Sequence, residues 1–333
     1  MKVLFIGGTG NLSSAGTDAA LERGIEVVHL NRGSSPAPAR EGLSSIRADI
    51  ADLGGVKAAL GRSRFDAVVE WIGYKPADVE RDIGLFRDRT AQYVFISSAS
   101  AYRKPPRSFP ITESTPLENP FWQYSRDKIA CERLLEEARA REDFPSTVVR
   151  PSHTYGDGWV PTPFGSSDFN VAQRIIDGRE VVVPGDGQSL WTLTYAPDFA
   201  RGLAGLLGNG AAVGEAFHIT RDEALSWDAI HLEIGAALGA VPRIAHVPSD
   251  LIAALYPEFE GNLLGDKSCS AVFDNSKIRR FVPGFACPTP FSVGLRRSLE
   301  WLGREPGRKR YKPGLDAKLD AIIAASRRAY PGA

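Results

Sequence analysis

Cysteine is scarce in this chain: Cys131, Cys269 and Cys287 are the only three in 333 residues. Their odd number and wide spacing exclude a disulfide framework, and without CxxC pairs or histidine-rich company they do not read as a zinc site. Reduced packing thiols, and no bound metal, are expected. Net charge is also absent, because 40 Lys and Arg balance 40 Asp and Glu. No long-range field draws the protein to nucleic acid or anionic lipid. No apolar run is long enough to span a bilayer, and "MKVLFIGGTG" at the start carries no cleavage pattern of a secreted precursor. A cytoplasmic protein without membrane or nucleic-acid partners is the expectation. Internal repeats and low-complexity tracts are missing too.

What is present is the balance of an ordinary globular chain, with 43% hydrophobic and 24% charged residues. Short apolar runs recur through the first half: "KVLFI", "IEVVHLNRG", "DAVVEWI", "QYVFISSAS" and "STVVRPS". Between them lie stretches with helical spacing, such as "AGTDAALERG" and "KIACERLLEEARA". This alternation predicts an α/β fold, a Rossmann-type doubly wound parallel sheet with helices on both faces. After about Arg150, loops rich in Pro and Gly ("PTPFGSS", "VPGDGQ") interrupt the helices. The expected organisation is a nucleotide-binding domain over 1–150, with later segments near 185–215 returning to it, and a smaller, discontinuous substrate domain over 151–333. The basic run "GRKRYKPG" reads as a solvated turn.

Gly7 and Gly10 sit between the first strand and the first helix, where missing side chains let backbone N–H groups approach a pyrophosphate. Asn11 and Leu12 open that helix and are expected to share the contact. The usual third glycine is replaced by Ser13. At the end of the second strand, where an acid normally meets the adenosine ribose of NAD, the chain has Asn31, Arg32 and then Ser34. Nothing there repels a 2′-phosphate, so the reading leans to NADP over NAD. Asp49 is either an acceptor for the adenine amino group or a carboxylate that caps a turn.

"WQYSRDKIACE" places Tyr124 and Lys128 four residues apart on one helical face, where an ammonium beside a phenol favours the phenolate. Such a tyrosine can exchange a proton with an alcohol while hydride moves at the same carbon. Ser98 and Ser100, at the end of an apolar strand, offer hydroxyls to the substrate and to the phenol.

With "GGTG", "FISSASAY", "YSRDK", "VVRPSHTYGDG", "VPGDGQ", "TYAPDFARGL" and "FDNSKI" in order along most of its length, the chain resembles the extended short-chain dehydrogenases/reductases, the nucleotide-sugar epimerases and dehydratases. The resemblance implies Tyr124 as the acid/base. Lys128 would tune it and hold the nicotinamide ribose, Ser98 would orient the reacting hydroxyl, and Pro151 would lie against the cofactor. It also implies a homodimer packed through the Tyr/Lys helix, where Ile129, Ala130, Leu134 and Leu135 are apolar. His153 stands where relatives commonly carry an asparagine, and either binds a sugar hydroxyl or is satisfied locally. Where the dehydratase branch has an Asp-Glu pair, this chain has Ala99 and Ser100, which leaves His153, Glu70 and Glu113 as substitutes.

Two further departures bear on substrate. In the epimerases an arginine seven residues before the Asp of "TYAPD" grips the substrate diphosphate; counting from Asp198 gives Trp191. A second arginine, two residues before a Gly-Asp, becomes Leu263. The expectation is a nucleoside or glycoside without a diphosphate, bound by Ser98, Ser100, His153, Trp191 and Leu263. The alternative is that both are core filler and that Arg103, Lys104 or Lys267 holds a phosphate. The function expected is transient oxidation of a secondary sugar hydroxyl by an NAD(P)-dependent epimerase/dehydratase type of enzyme. The alternatives are a nucleotide-sugar epimerase or dehydratase, a simple dehydrogenase or reductase, and a non-catalytic RNA binder related through "LNRG".

Overall fold

The computed structural model describes residues 1–33 and 40–330. Ser34 lies outside the described residues. A seven-stranded, wholly parallel sheet is built from β1 (Lys2–Ile6), β2 (Glu26–Asn31), β3 (Leu43–Arg47), β4 (Ala67–Glu70), β5 (Tyr93–Ile96), β6 (Ser146–Arg150) and β10 (Ala216–His218). Its order is β3-β2-β1-β4-β5-β6-β10. Every residue of β4 and β5 is buried, as expected of strands covered on both faces.

The two-residue period of the strands divides the core. Val3 and Phe5 of β1 point to the layer containing Phe199 and Leu203, whereas Leu4 and Ile6 point to the layer containing Ile83 and Leu135. The first layer is covered by α1 (Asn11–Glu22) and α6 (Ala196–Leu206). The second is covered by α2 (Leu53–Leu60), α3 (Pro76–Phe86) and α4 (Gln123–Glu142).

A smaller region stands beside the C-terminal edge of the sheet. It holds a three-stranded sheet, β11-β9-β7, from β7 (His153–Tyr155), β9 (Leu190–Tyr195) and β11 (Ala224–Ser226), and a parallel pair, β8 (Glu180–Pro184) with β12 (Arg243–Val247). Helices α5 (Asn170–Ile176), α7 (Trp227–Leu238), α8 (Ser249–Leu255), α9 (Glu260–Asn262), α10 (Ser276–Phe281), α11 (Phe291–Gly303) and α12 (Leu315–Ala329) complete the chain. Trp191, Trp227, Phe169 and Leu295 share one core of this region, and Leu263, Ile252 and Leu319 another. The chain does not divide once. After β9 it re-enters the large sheet through α6 and β10, then leaves again at β11.

The strand order reverses at β1, which has β2 on one side and β4 on the other. Ligands of open α/β sheets sit in the crevice outside the strand ends at such a switch point. Gly7, Gly73, Ser97 and Pro151 each lie just beyond the end of a strand on that edge. Among the described residues no helix is long and apolar enough to cross a membrane.

Candidate active site

The glycine loop is shaped by what a side chain would hit. Gly7 has φ +82°, a left-handed conformation that favours glycine, and a Cβ on Gly8 would lie 2.3 Å from the His29 ring. That ring is fixed, because Thr17 Oγ1 lies 2.8 Å from His29 Nε2, and burial pushes the imidazole down to about 4, so it is neutral. Ser13, in the place of the third glycine, caps the helix: its Oγ accepts from the Gly10 N–H at 2.8 Å. The close helix-to-sheet approach falls instead at Gly16, where a Cβ would stand 3.0 Å from Trp71.

The first N–H groups of α1 have no partner within the helix, and no acid stands in its first turn. The buried Asn11 Nδ2 has no partner among the described residues. These features fit a dinucleotide pyrophosphate. At the end of β2, Asn31 Oδ1 accepts from the Gly33 N–H, and Arg32 is exposed. Asp49 Oδ1 accepts from the Ala51 N–H at 3.0 Å, so one carboxylate oxygen closes a turn.

Across the crevice, a cavity of about 300 Å³ gathers Ser98, Ser100, Tyr124, Pro151, His153 and Trp191 from four separate stretches of chain. Its hydroxyls form a chain: Ser98 Oγ lies 2.8 Å from Ser100 Oγ, which accepts from Ser125 Oγ at 2.8 Å. Asn119 fastens this corner by donating to the Ser100 and Gly265 carbonyls. Burial pushes the Tyr124 phenol up to about 12, while the Ser98 hydroxyl beside it acts in the opposite sense. Lys128 is buried and pushed down to about 8 by desolvation. Its Nζ donates to the Gly73 and Ile96 carbonyls, each at 2.7 Å, and lies 5.8 Å from the centre of the Tyr124 ring. The ammonium is engaged by two carbonyls, and without a cofactor burial favours the neutral phenol of Tyr124.

His153 is held neutral by burial, with the nearby Lys267 acting in the same sense; its Nε2 bonds Ser166 Oγ at 2.7 Å. The other two substitute acids lie elsewhere. Glu70, the last residue of β4, is fully buried and accepts from the Ile72 N–H, and Glu113 accepts from the His218 N–H.

Two expectations about the substrate side need correction. Leu263 does not reach the cavity: it is 0% exposed and packs with Val247, Ile252 and Leu319. Trp191 lines the cavity but is only 2% exposed, with Lys267 Nζ 4.2 Å from its ring centre and the Trp227 ring centre 5.5 Å away. An indole so covered cannot lie flat against a substrate ring. The cation that the sequence lacks at 191 is supplied in space by Lys267 and Lys104, whose ammoniums meet the two oxygens of Asp266 at 2.5 and 3.1 Å. Arg103 is not in the wall; it pairs with Glu118. Asp266, Ser125 and Ser152 were not anticipated. Asp266 was visible only as a landmark for counting, the Asp of the Gly-Asp pair. Among the described residues no group of His, Cys, Asp and Glu could hold a metal.

A doubly wound parallel sheet with a glycine loop at its switch point, and a Ser/Tyr/Lys set across the crevice, defines an extended short-chain dehydrogenase/reductase. The model of the NAD dependent epimerase/dehydratase family matches residues 3–220, and the chain belongs to that family. It is 26% identical over 286 residues to 2′-dehydrokanamycin reductase of Streptomyces kanamyceticus, covering 86% of this chain and 80% of that protein. It is 25% identical over 259 residues to the chloroplast stem-loop binding protein of 41 kDa b of Arabidopsis thaliana, covering 74% of this chain and 65% of that protein. Among solved structures, epimerase Mth375 of Methanothermobacter thermautotrophicus shares the fold with a TM-score of 0.75 at 18% identity, over 91% of this chain and 92% of that one. UDP-glucuronic acid 4-epimerase of Bacillus cereus, solved with UDP-glucuronic acid and NAD, does so with a TM-score of 0.72 at 18% identity, over 91% and 99%.

Proposed function

We propose that this NAD(P)-dependent enzyme transiently oxidises a secondary hydroxyl on the sugar ring of a nucleoside or glycoside that carries no diphosphate, in the manner of an epimerase or dehydratase. The observation that carries the reading is the cavity itself. Its volume lies at the lower end of the range for ligand pockets. Among the described residues its charged side chains are Lys104, Lys267 and Asp266, an excess of one positive charge, which falls short of the two or more negative charges of a diphosphate.

In this reading Gly7, Gly10, Asn11 and Leu12 hold the pyrophosphate, while Lys128 and Pro151 hold the nicotinamide end. Bound there, the dinucleotide supplies the hydride acceptor and donor. Tyr124 exchanges the hydroxyl proton, Ser98 and Ser100 orient the oxygen, and neutral His153 offers a hydrogen bond to a second hydroxyl. Assays of UDP-, GDP- and dTDP-sugars beside free nucleosides and glycosides test it. Turnover restricted to the uncharged or singly charged set is expected, and efficient turnover of any sugar diphosphate rejects it.

A simple reductase is the second reading. A Tyr124 phenol protonated at neutral pH is ready to donate to a carbonyl oxygen, and one relative is named a reductase. Cofactor retained through purification favours the closed cycle; a steady absorbance change of NAD(P)H favours the reductase.

The cofactor is proposed to be NADP in preference to NAD, since Arg32 is exposed just after β2 and its sequence neighbours, Asn31 and Gly33, carry no carboxylate. Arg32→Ala is expected to lower the NADP/NAD affinity ratio about tenfold, the weight of one charge-assisted pair. An unchanged ratio in fluorescence titrations would show that Arg32 does not meet the 2′-phosphate.

A further inference from the structure

Two ammoniums share one carboxylate in the wall of the cavity. Lys104 is almost wholly buried, with its Nζ 3.1 Å from Asp266 Oδ1; Lys267 Nζ lies 2.5 Å from Asp266 Oδ2. Burial raises the Asp266 carboxyl, but Lys267 and Lys104 more than offset it and hold its pKa below the usual value. Each ammonium carries three donors and has a single oxygen partner among the described residues. The Trp191 ring lies under both, 4.2 Å from Lys267 Nζ and 5.6 Å from Lys104 Nζ, so the indole steadies the cations and leaves their remaining donors for the cavity.

An uncompensated buried charge is costly, and one anionic ligand group would neutralise this cluster. A second observation points to the same place. Of the buried polar atoms without a partner among the described residues, Ser152 Oγ, His153 Nδ1 and Trp191 Nε1 belong to three residues that all line this cavity. Unpaired groups around one positive charge suit a small molecule bearing several hydroxyls and one acidic group.

Resting on the function proposed above, we infer that the substrate is an acidic sugar, with a single carboxylate held by Lys104 and Lys267 while its hydroxyls meet Ser152, His153 and the Ser98–Ser100 pair. The inference excludes polycationic sugars, which Lys104 and Lys267 would repel.

The test is an NMR titration of the cofactor-saturated protein with the methyl glycosides of glucose, galactose and mannose, with the corresponding methyl uronides, and with UDP-glucose. At least one uronide is expected to bind about tenfold or more tightly than its neutral parent. Lys267→Gln and Lys104→Gln should each bring that ratio toward one, and Lys267→Arg should largely keep it. Should the variants not fold, the wild-type comparison decides alone. Every neutral glycoside binding as well as its uronide overturns the acidic-sugar inference and leaves the proposed function standing. Tighter binding of UDP-glucose than of every glycoside overturns the proposed function, and binding of none of the ligands overturns both.

Discussion

Tyr124→Phe is expected to lower turnover by about 10² to 10⁴, the usual worth of a positioned proton donor, while leaving cofactor affinity within a few-fold of wild type. The substitution removes one oxygen and keeps the ring, whose centre lies 4.9 Å from that of Trp122. Lys128 keeps both of its carbonyl partners, because neither belongs to Tyr124. Fold and cofactor site should therefore survive, and the loss should fall on the chemical step. Single-turnover rates with the substrate found in the panel, set beside a fluorescence titration of the cofactor, separate the two quantities. A rate within a few-fold of wild type would remove Tyr124 from the role of acid/base.

Gly8→Val should be as damaging for a different reason. The new Cβ would fall 2.3 Å from two atoms of the His29 ring, and the ring has no free direction of retreat while Thr17 holds its Nε2. Either the imidazole leaves Thr17 or the loop lifts from the end of β1. Overpacking of this kind costs about 1–3 kcal/mol, which for a chain of this size is a fall in Tm of several degrees. Lifting the loop also misdirects the N–H groups at the start of α1, so dinucleotide affinity should fall further than stability alone requires. Gly84→Ala is the control, since its Cβ meets nothing within 4 Å. A Gly8→Val protein with wild-type Tm and cofactor affinity would show that the loop is not built as described.

The parallel sheet was legible because its strands are buried on both faces and therefore read as short apolar runs, "VLFI" in β1 and "YVFI" in β5 being the plainest. The glycine loop was legible because a positive φ at Gly7 leaves few choices of residue. Ser13 replaces the usual third glycine, and the close approach falls one turn along, at Gly16. On the substrate side, counting along the chain failed at Leu263. The segment Leu263–Lys267 winds as a π-helical turn, which changes the angle between successive side chains. Leu263 is thereby sent into the core against α8 and α12, and Asp266 and Lys267 into the cavity wall. At Trp191 the sequence shows that a cation has been lost from one position and offers Lys104 and Lys267 as alternatives, but not that both converge on the indole in space.

The wall of the cavity has a consequence for how specificity can change. Ser98 to Lys104, Trp122 to Tyr124, Pro151 to Ser166, Trp191, and Asn262 to Phe273 reach it from separate passages of the chain, and between them the backbone travels back into the large sheet through α6 and β10. No single cut isolates the half that chooses the substrate from the half that turns on hydride transfer. Exchanging one contiguous stretch with a relative would import a fraction of a foreign pocket and orphan the rest. A new substrate is reached in this architecture by altering individual side chains where the passages meet, and the junction of Trp191 with Lys104 and Lys267 is the place where three of them do.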